Sequence, residues 1–110
     1  MEKTIVRQAG KDLEVKVGDG ATILWFSDRT AVTIIEIGKN YVKVQKDRAI
    51  RTDGNGLSDC QEYKYERNES GEIYTFKKTR KGLYTDNGRS NDYGCRLSFG
   101  YRREYYDYTF

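Results

Sequence analysis

The chain has 110 residues, which is enough for one domain and too few for two. Charged residues make up 34% of the sequence, and the net charge of +3 is compatible with a nucleic-acid partner without requiring one. The sequence contains no histidine, which excludes catalytic triads, histidine-based zinc sites and histidine acid–base catalysis. It also contains no proline, so its turns depend on glycine, asparagine, aspartate and serine.

Compartment and redox state are predicted from three further features. No apolar run approaches the ~18 residues of a membrane span. The first ten residues lack the apolar segment of a signal peptide. We therefore expect a cytoplasmic protein with no membrane contact. Cys60 and Cys95 are too few to form a disulfide framework, and we expect reduced, partly buried thiols, although the sequence does not fix their redox state.

The first half of the chain predicts a β-core. Residues 1–14 hold one short apolar group, either a short strand or a loose arm. Val15 and Val17 then alternate with Lys16, as in a half-buried strand. Beyond the following glycine turn, β-branched and aromatic residues form runs separated by turn formers, which predicts an antiparallel meander over 21–45.

The second half is rich in tyrosine, with nine of the ten tyrosines at or after position 63. Residues 46–61 predict a connecting loop with one short turn at 48–51. A hairpin is expected to pair 62–66 with 73–76, because both segments alternate and a turn sequence separates them. Leu83–Tyr84 and 96–101 predict two further strands. The aromatic residues of the tail, 104–110, are expected to dock on a sheet.

These patterns predict one all-β domain over residues 1–110. It combines a core meander over 15–46 with a Tyr-rich basic β layer over 62–110. The expected architecture is a small curved sheet or an SH3-like barrel, extended by a C-terminal β-hairpin layer. Turn signals at intervals of ~8–12 residues are typical of such small barrels and sandwiches.

Two short motifs frame the meander, V-x-V-G-D at 15–19 and V-x-V-x-x-D at 42–47. In these motifs the segment resembles SH3-like barrels of the KOW, Tudor and chromo-barrel kind, which implies a closed barrel with a tight glycine–aspartate strand entry. The whole chain, especially GDGATI, SDR and YRREYYDY, resembles small uncharacterised proteins of phages and mobile elements in Gram-positive bacteria. That resemblance implies a role in interference with a host defence system.

Catalytic and metal sites are not indicated. Nearly all aspartates lie beside Gly, Asn, Ser or Arg, where they act as turn formers. The segment from Asp53 fails as a calcium loop, because glycine stands at its fourth position and Lys64 at its twelfth. Neither cysteine has a histidine to activate it. We therefore expect no enzyme activity, no catalytic residue, no metal and no cofactor.

A binding surface is indicated between Lys77 and Arg103. Eight lysines and arginines lie in this span against two acids, Asp86 and Asp92, and tyrosines lie among them. Basic side chains neutralise phosphates and aromatic faces stack on bases. The alternative is that the tyrosines are core residues and the charges only keep a small sheet soluble. The candidate binding residues are Lys77, Lys78, Arg80, Lys81, Tyr84, Arg89, Tyr101, Arg102 and Arg103.

Three functions remain open. The first is a non-enzymatic binding protein that engages nucleic acid, or a nucleic-acid-handling protein complex, through this basic, Tyr-rich β surface. The second is a phage-encoded, anti-CRISPR-like inhibitor of a host defence nuclease that acts by protein–protein contact. The third, a small hydrolase or nuclease with aspartates around a metal, is the least favoured. The sequence does not determine the oligomeric state.

Overall fold

The computed structural model describes residues 2–25, 27–54, 61–80, 82–86 and 95–105. Within these ranges the chain forms ten β-strands and no helix, which confirms the all-β prediction. The strands are β1 (Lys3–Gln8), β2 (Lys11–Lys16), β3 (Gly20–Leu24), β4 (Arg29–Ile37), β5 (Tyr41–Lys46), β6 (Arg48–Arg51), β7 (Tyr63–Glu66), β8 (Ile73–Lys78), β9 (Tyr84–Thr85) and β10 (Arg96–Phe99).

Six of these strands close an antiparallel barrel in the order β10-β3-β4-β5-β8-β9. The predicted meander over 21–45 is confirmed, because β3, β4 and β5 pair in sequence. Alternate residues point inward, so Ile23, Ile34 and Val44 are at most 1% exposed. A register shift after Ile34 restores the inward orientation at Ile37, which is also buried.

The second half of the chain supplies the other three barrel strands. β8 lies beside β5, where Phe76 is opposite Val42, and β10 lies beside β3, where Leu97 is opposite Ile23. Leu97 and Phe99 share the buried face of β10, within the strand predicted over 96–101. The tyrosine-rich half therefore completes the barrel wall, and the core is built from both halves of the sequence.

The strand pairing around residues 46–76 differs from the prediction. Residues 48–51, expected as a turn in a loop, form β6, and β6 pairs with β7, so the predicted hairpin between 62–66 and 73–76 is wrong. The reason is that β5 pairs with β8, with Gln45 opposite Ile73. The segments next to these two strands, β6 after β5 and β7 before β8, therefore lie side by side and pair with each other. A Cβ on Gly71 would overlap the carbonyl oxygen of Lys46, so this return requires glycine.

The first two strands form a hairpin that covers one end of the barrel. Its two-residue turn, Ala9–Gly10, has positive φ at both positions, 52° and 76°, as type I′ hairpin turns require. The Gln8 side chain accepts from the Phe99 backbone N–H and donates to the Phe99 carbonyl. Val15 is buried, but Val17 is 43% exposed because β2 ends before it, so the predicted shared face of Val15 and Val17 is wrong.

Residues 101–105, here called the C-terminal strap, cross the outside of β3 and β4. The Thr22 hydroxyl donates to the Tyr101 carbonyl and accepts from the Arg103 backbone N–H. The Ala31 backbone N–H donates to the Glu104 carboxylate at 3.1 Å. Thr22 and Ala31 point away from the core, and they are nevertheless 0% exposed because the C-terminal strap covers them. The rest of the aromatic tail, 106–110, lies outside the described residues.

Candidate nucleic-acid interface

Three of the predicted binding residues lie together at one end of β8. Lys77 and Lys78 are its last two residues, and Arg80 lies in the turn that follows. All three are exposed. The Thr79 backbone N–H, just before Arg80, donates to the Leu83 carbonyl at 2.7 Å.

Strand pairing adds Arg96 to this group. Lys77 and Arg96 are both opposite Thr85, on its two sides, so both point outward from the barrel. Neighbouring strands lie ~4.8 Å apart, which places the two backbones about 10 Å from each other. Arg96 was counted in the basic span but was not among the predicted binding residues. Only the register of β9 shows that it faces the same way. Lys78 is opposite the buried Tyr84 and so leaves β8 on the other side from Lys77, although it is exposed. We call the four exposed cations Lys77, Lys78, Arg80 and Arg96 together the cationic face.

The cationic face keeps its charge. In the described part of the chain no acidic side chain forms an ion pair with any of its four residues. The ion pairs that do form lie elsewhere: Lys3–Glu14, Arg7–Asp12, Lys43–Glu36, Arg51–Asp53 and Arg102–Asp47. Glu72, at the other end of β8, and Asp86, which directly follows β9, form no ion pair with them. The face therefore presents four cations to solvent.

Tyr84 is not part of this surface, and its assignment as a binding residue is corrected. Its side chain is 3% exposed, and its ring packs edge-on against Phe99 at a centroid distance of 5.3 Å. Burial raises the pKa of the Tyr84 hydroxyl above its ordinary value. A ring enclosed in this way has no free face on which a base could stack.

Tyr74 and Trp25 also belong largely to the core. Both are partly buried against the main cluster, and their rings meet edge to face at 5.9 Å. The Trp25 indole N–H donates to the Thr30 hydroxyl at 2.8 Å. Burial, together with donation to Glu72, raises the pKa of Tyr74 to about 12. Trp25 is therefore a core residue rather than a stacking platform.

Arg102 is likewise removed from the binding set, because the protein's own acid neutralises it. Its Nε donates to Asp47 Oδ2 at 2.8 Å, and its Nη2 donates to the Thr33 hydroxyl at 3.1 Å. The Asp47 side chain is 1% exposed and also accepts from that hydroxyl at 2.6 Å. The Arg102 side chain lies across Gly20, where a Cβ would come within 2.5 Å of Arg102 Nη1. Arg102 therefore holds the C-terminal strap to the barrel.

The remaining predicted residues lie apart from the cationic face. Tyr101 is 43% exposed and lines a cavity with Leu13, between the first hairpin and the C-terminal strap. Arg103 is exposed and lines a second cavity with Arg29. Lys81 and Arg89 lie outside the described residues. The structure thus brings together Lys77, Lys78 and Arg80 but separates them from the strap residues.

Other kinds of site find little support in the described ranges. No group of three or more potential metal ligands occurs there. Cys95 is a buried free thiol, and burial raises its pKa to about 11, so it is a poor nucleophile. No helix in this part of the chain is long and apolar enough to cross a bilayer.

The comparisons with known proteins add no assignment. No protein-family model matches the chain, and no curated protein or solved structure is significantly similar to it. Its function is therefore argued from its own residues.

Proposed function

We propose that this protein is a non-enzymatic binding protein that holds a nucleic-acid backbone on its cationic face. The observation that carries the proposal is the lack of an ion-pair partner for Lys77, Lys78, Arg80 and Arg96 among the described residues, whereas five other cations of the described chain are paired with acids. Cations that stay exposed and unpaired are free to neutralise phosphates and release counterions. The protein would act in the cytoplasm, without a cofactor.

The positions of these side chains support backbone contact more than base reading. Three of the four cations lie on strands of a closed barrel, which fixes their spacing. The tyrosine within this part of the wall, Tyr84, is buried, so stacking on bases is not available there. We therefore expect binding that depends little on sequence and strongly on salt. The closed all-β barrel is compatible with the SH3-like relationship inferred from the two valine motifs.

The test is a triple charge reversal, Lys77→Glu, Lys78→Glu and Arg80→Glu, measured by fluorescence anisotropy with a labelled single-stranded oligonucleotide. Affinity falls with salt, and each phosphate contact to a single strand adds ~0.7 to the steepness of log K against log salt concentration. The slope of the triple variant should therefore be shallower by about two units. A matched control reverses Lys11, Lys16 and Lys64, three exposed lysines on the outlying hairpins. The control should keep its slope, and equal losses in the two variants would contradict the proposal.

A protein partner is the second candidate, as in the inhibitor of a host defence nuclease. Ile73 favours it, because it is 55% exposed and shares the outward face of β8 with Lys77. Apolar groups beside cations are typical of protein interfaces. This candidate predicts a stoichiometric complex with the nuclease that survives nucleic-acid digestion and that Ile73→Asp disrupts. A complex lost on digestion would exclude it.

A further inference from the structure

The alternation of the C-terminal strap separates its side chains into two sets. Arg102 and Glu104 point to the barrel, where they bond to Asp47 and to the Ala31 backbone N–H. In an extended segment the intervening residues point the other way, so Arg103 and Tyr105 face outward together. Both residues line the same cavity, which agrees with this alternation.

The start of β4 brings a second guanidinium to the same cavity. Arg29 and Tyr105 form an antiparallel bridge, with N–H to carbonyl distances of 2.9 Å in both directions. Directly opposite residues share a face, so Arg29 lies beside Tyr105 and near Arg103. The cavity has a volume of about 220 Å³, and the described residues that line it are Ser27, Arg29, Arg103 and Tyr105.

The two guanidiniums are oriented but not neutralised. Arg29 Nη1 donates to the carbonyls of Trp25 and Asp28, at 3.1 and 2.8 Å, which fixes the plane of the group and leaves its charge. Within the described ranges neither Arg29 nor Arg103 forms an ion pair. Arg102, the neighbour of Arg103, is by contrast paired with Asp47. The cavity therefore concentrates two positive charges.

We propose that this cavity is a binding pocket for a phosphate monoester. Guanidinium forks match the oxygens of a phosphate group, and two forks balance its two negative charges. A liquid water occupies about 30 Å³, so the cavity has room for a phosphate and several waters. The group could come from a nucleic-acid end, a free nucleotide or inorganic phosphate, which share this chemistry.

The pocket is independent of the cationic face, since it contains none of the same residues. The first experiment titrates the full chain with inorganic phosphate, adenosine monophosphate, and a short oligothymidine carrying either a 5′-phosphate or a 5′-hydroxyl. Binding is followed by calorimetry and by the NMR signals of the arginine side-chain N–H groups. The ligand that binds most tightly identifies the source of the phosphate.

Arg103→Gln should weaken the binding of every phosphate monoester by about ten- to a hundredfold, the loss expected for charged hydrogen bonds. Arg103→Lys keeps the charge without the fork, so its loss should be smaller. Arg67→Gln is the control, because this arginine is exposed, donates to a backbone carbonyl and is not among the residues that line the cavity. Arg103 bonds to the barrel through its backbone N–H, so Arg103→Gln should stay folded.

The outcomes separate this proposal from the previous one. Binding of the 5′-hydroxyl strand reports on the cationic face, and the added affinity of the 5′-phosphate reports on the pocket. Phosphate binding that Arg103→Gln leaves unchanged, or no binding of any monoester to the wild type, would overturn the pocket. If no monoester binds but the 5′-hydroxyl strand still does, the pocket is refuted and the proposed function is retained.

Discussion

Arg102→Met tests whether the buried ion pair fastens the C-terminal strap. The substitution keeps a long side chain over Gly20 but removes the donors to Asp47 and Thr33. Asp47 is then left with a 1% exposed carboxylate and the Thr33 hydroxyl as its remaining side-chain donor in the described structure. The affected quantity is the free energy of unfolding.

The size of the loss follows from the burial of the two partners. Breaking a fully buried pair costs about 3–5 kcal/mol. The Arg102 side chain is 34% exposed, so water already weakens the pair, and we expect about 2–4 kcal/mol. Asp47→Asn should cost less, about 1–2 kcal/mol, because the guanidinium left behind can reach water. The double variant Arg102→Met, Asp47→Leu should recover much of the first loss.

Urea denaturation monitored by Trp25 fluorescence measures these values. With a slope of about 2 kcal/mol per molar urea, Arg102→Met should lower the midpoint by about 1–2 M. The matched control is Arg103→Met, which removes the same charge from the adjacent position without breaking an ion pair. That control should change stability by at most about 0.5 kcal/mol. Equal effects of Arg102→Met and Arg103→Met would refute the assigned role of the pair.

Two further predictions follow from the shifted pKa values. Burial raises the pKa of Glu104 above its ordinary value of 4.5, so wild-type stability should fall as the pH rises from 4.5 through the raised pKa. Glu104→Gln keeps an oxygen acceptor for the Ala31 N–H and should remove this fall. The free energy of unfolding, measured by urea denaturation at several pH values, would contradict the prediction if wild type and variant changed in parallel. Burial raises the pKa of Cys95 to about 11, so in a Cys60→Ser background a thiol reagent at pH 8 should label Cys95 far more slowly in native protein than in urea. Equal labelling rates would place Cys95 outside the core.

Local patterns predicted the strands that bury one alternating face. The runs of β3, β4 and β5 hold β-branched residues at inward positions, and Leu97 and Phe99 do the same for β10. The pairing of β6 with β7 was missed for two reasons. The segment of β6, RAIR, has too few apolar residues to stand out, and hairpin rules favour the next strand in sequence. Here the pairing of β5 with β8, which are far apart in sequence, places β6 beside β7 instead.

The candidate site was harder to predict, because the charge of a side chain does not show which way it points from the backbone. Arg102 and Arg103 are identical neighbours in sequence, yet one is paired with Asp47 and the other faces a cavity. The pairing depends on an acid 55 positions away, which no local pattern reveals. Tyr84 and Tyr101 both belong to the tyrosine-rich half of the sequence, but of the two only Tyr84 is buried in the core. Spacing found the cations of β8, and topology was needed to add Arg96.

Closure of the barrel through the pairing of β3 with β10 has a consequence for synthesis of the protein. Thr22 is opposite Ser98, so the wall cannot close on the ribosome until nearly all the strands have emerged. Until then β3 presents an open edge, which can pair with other nascent chains. Such long-range closure is also slow. Cotranslational folding of this protein should therefore finish late, and chains interrupted before β10 should aggregate.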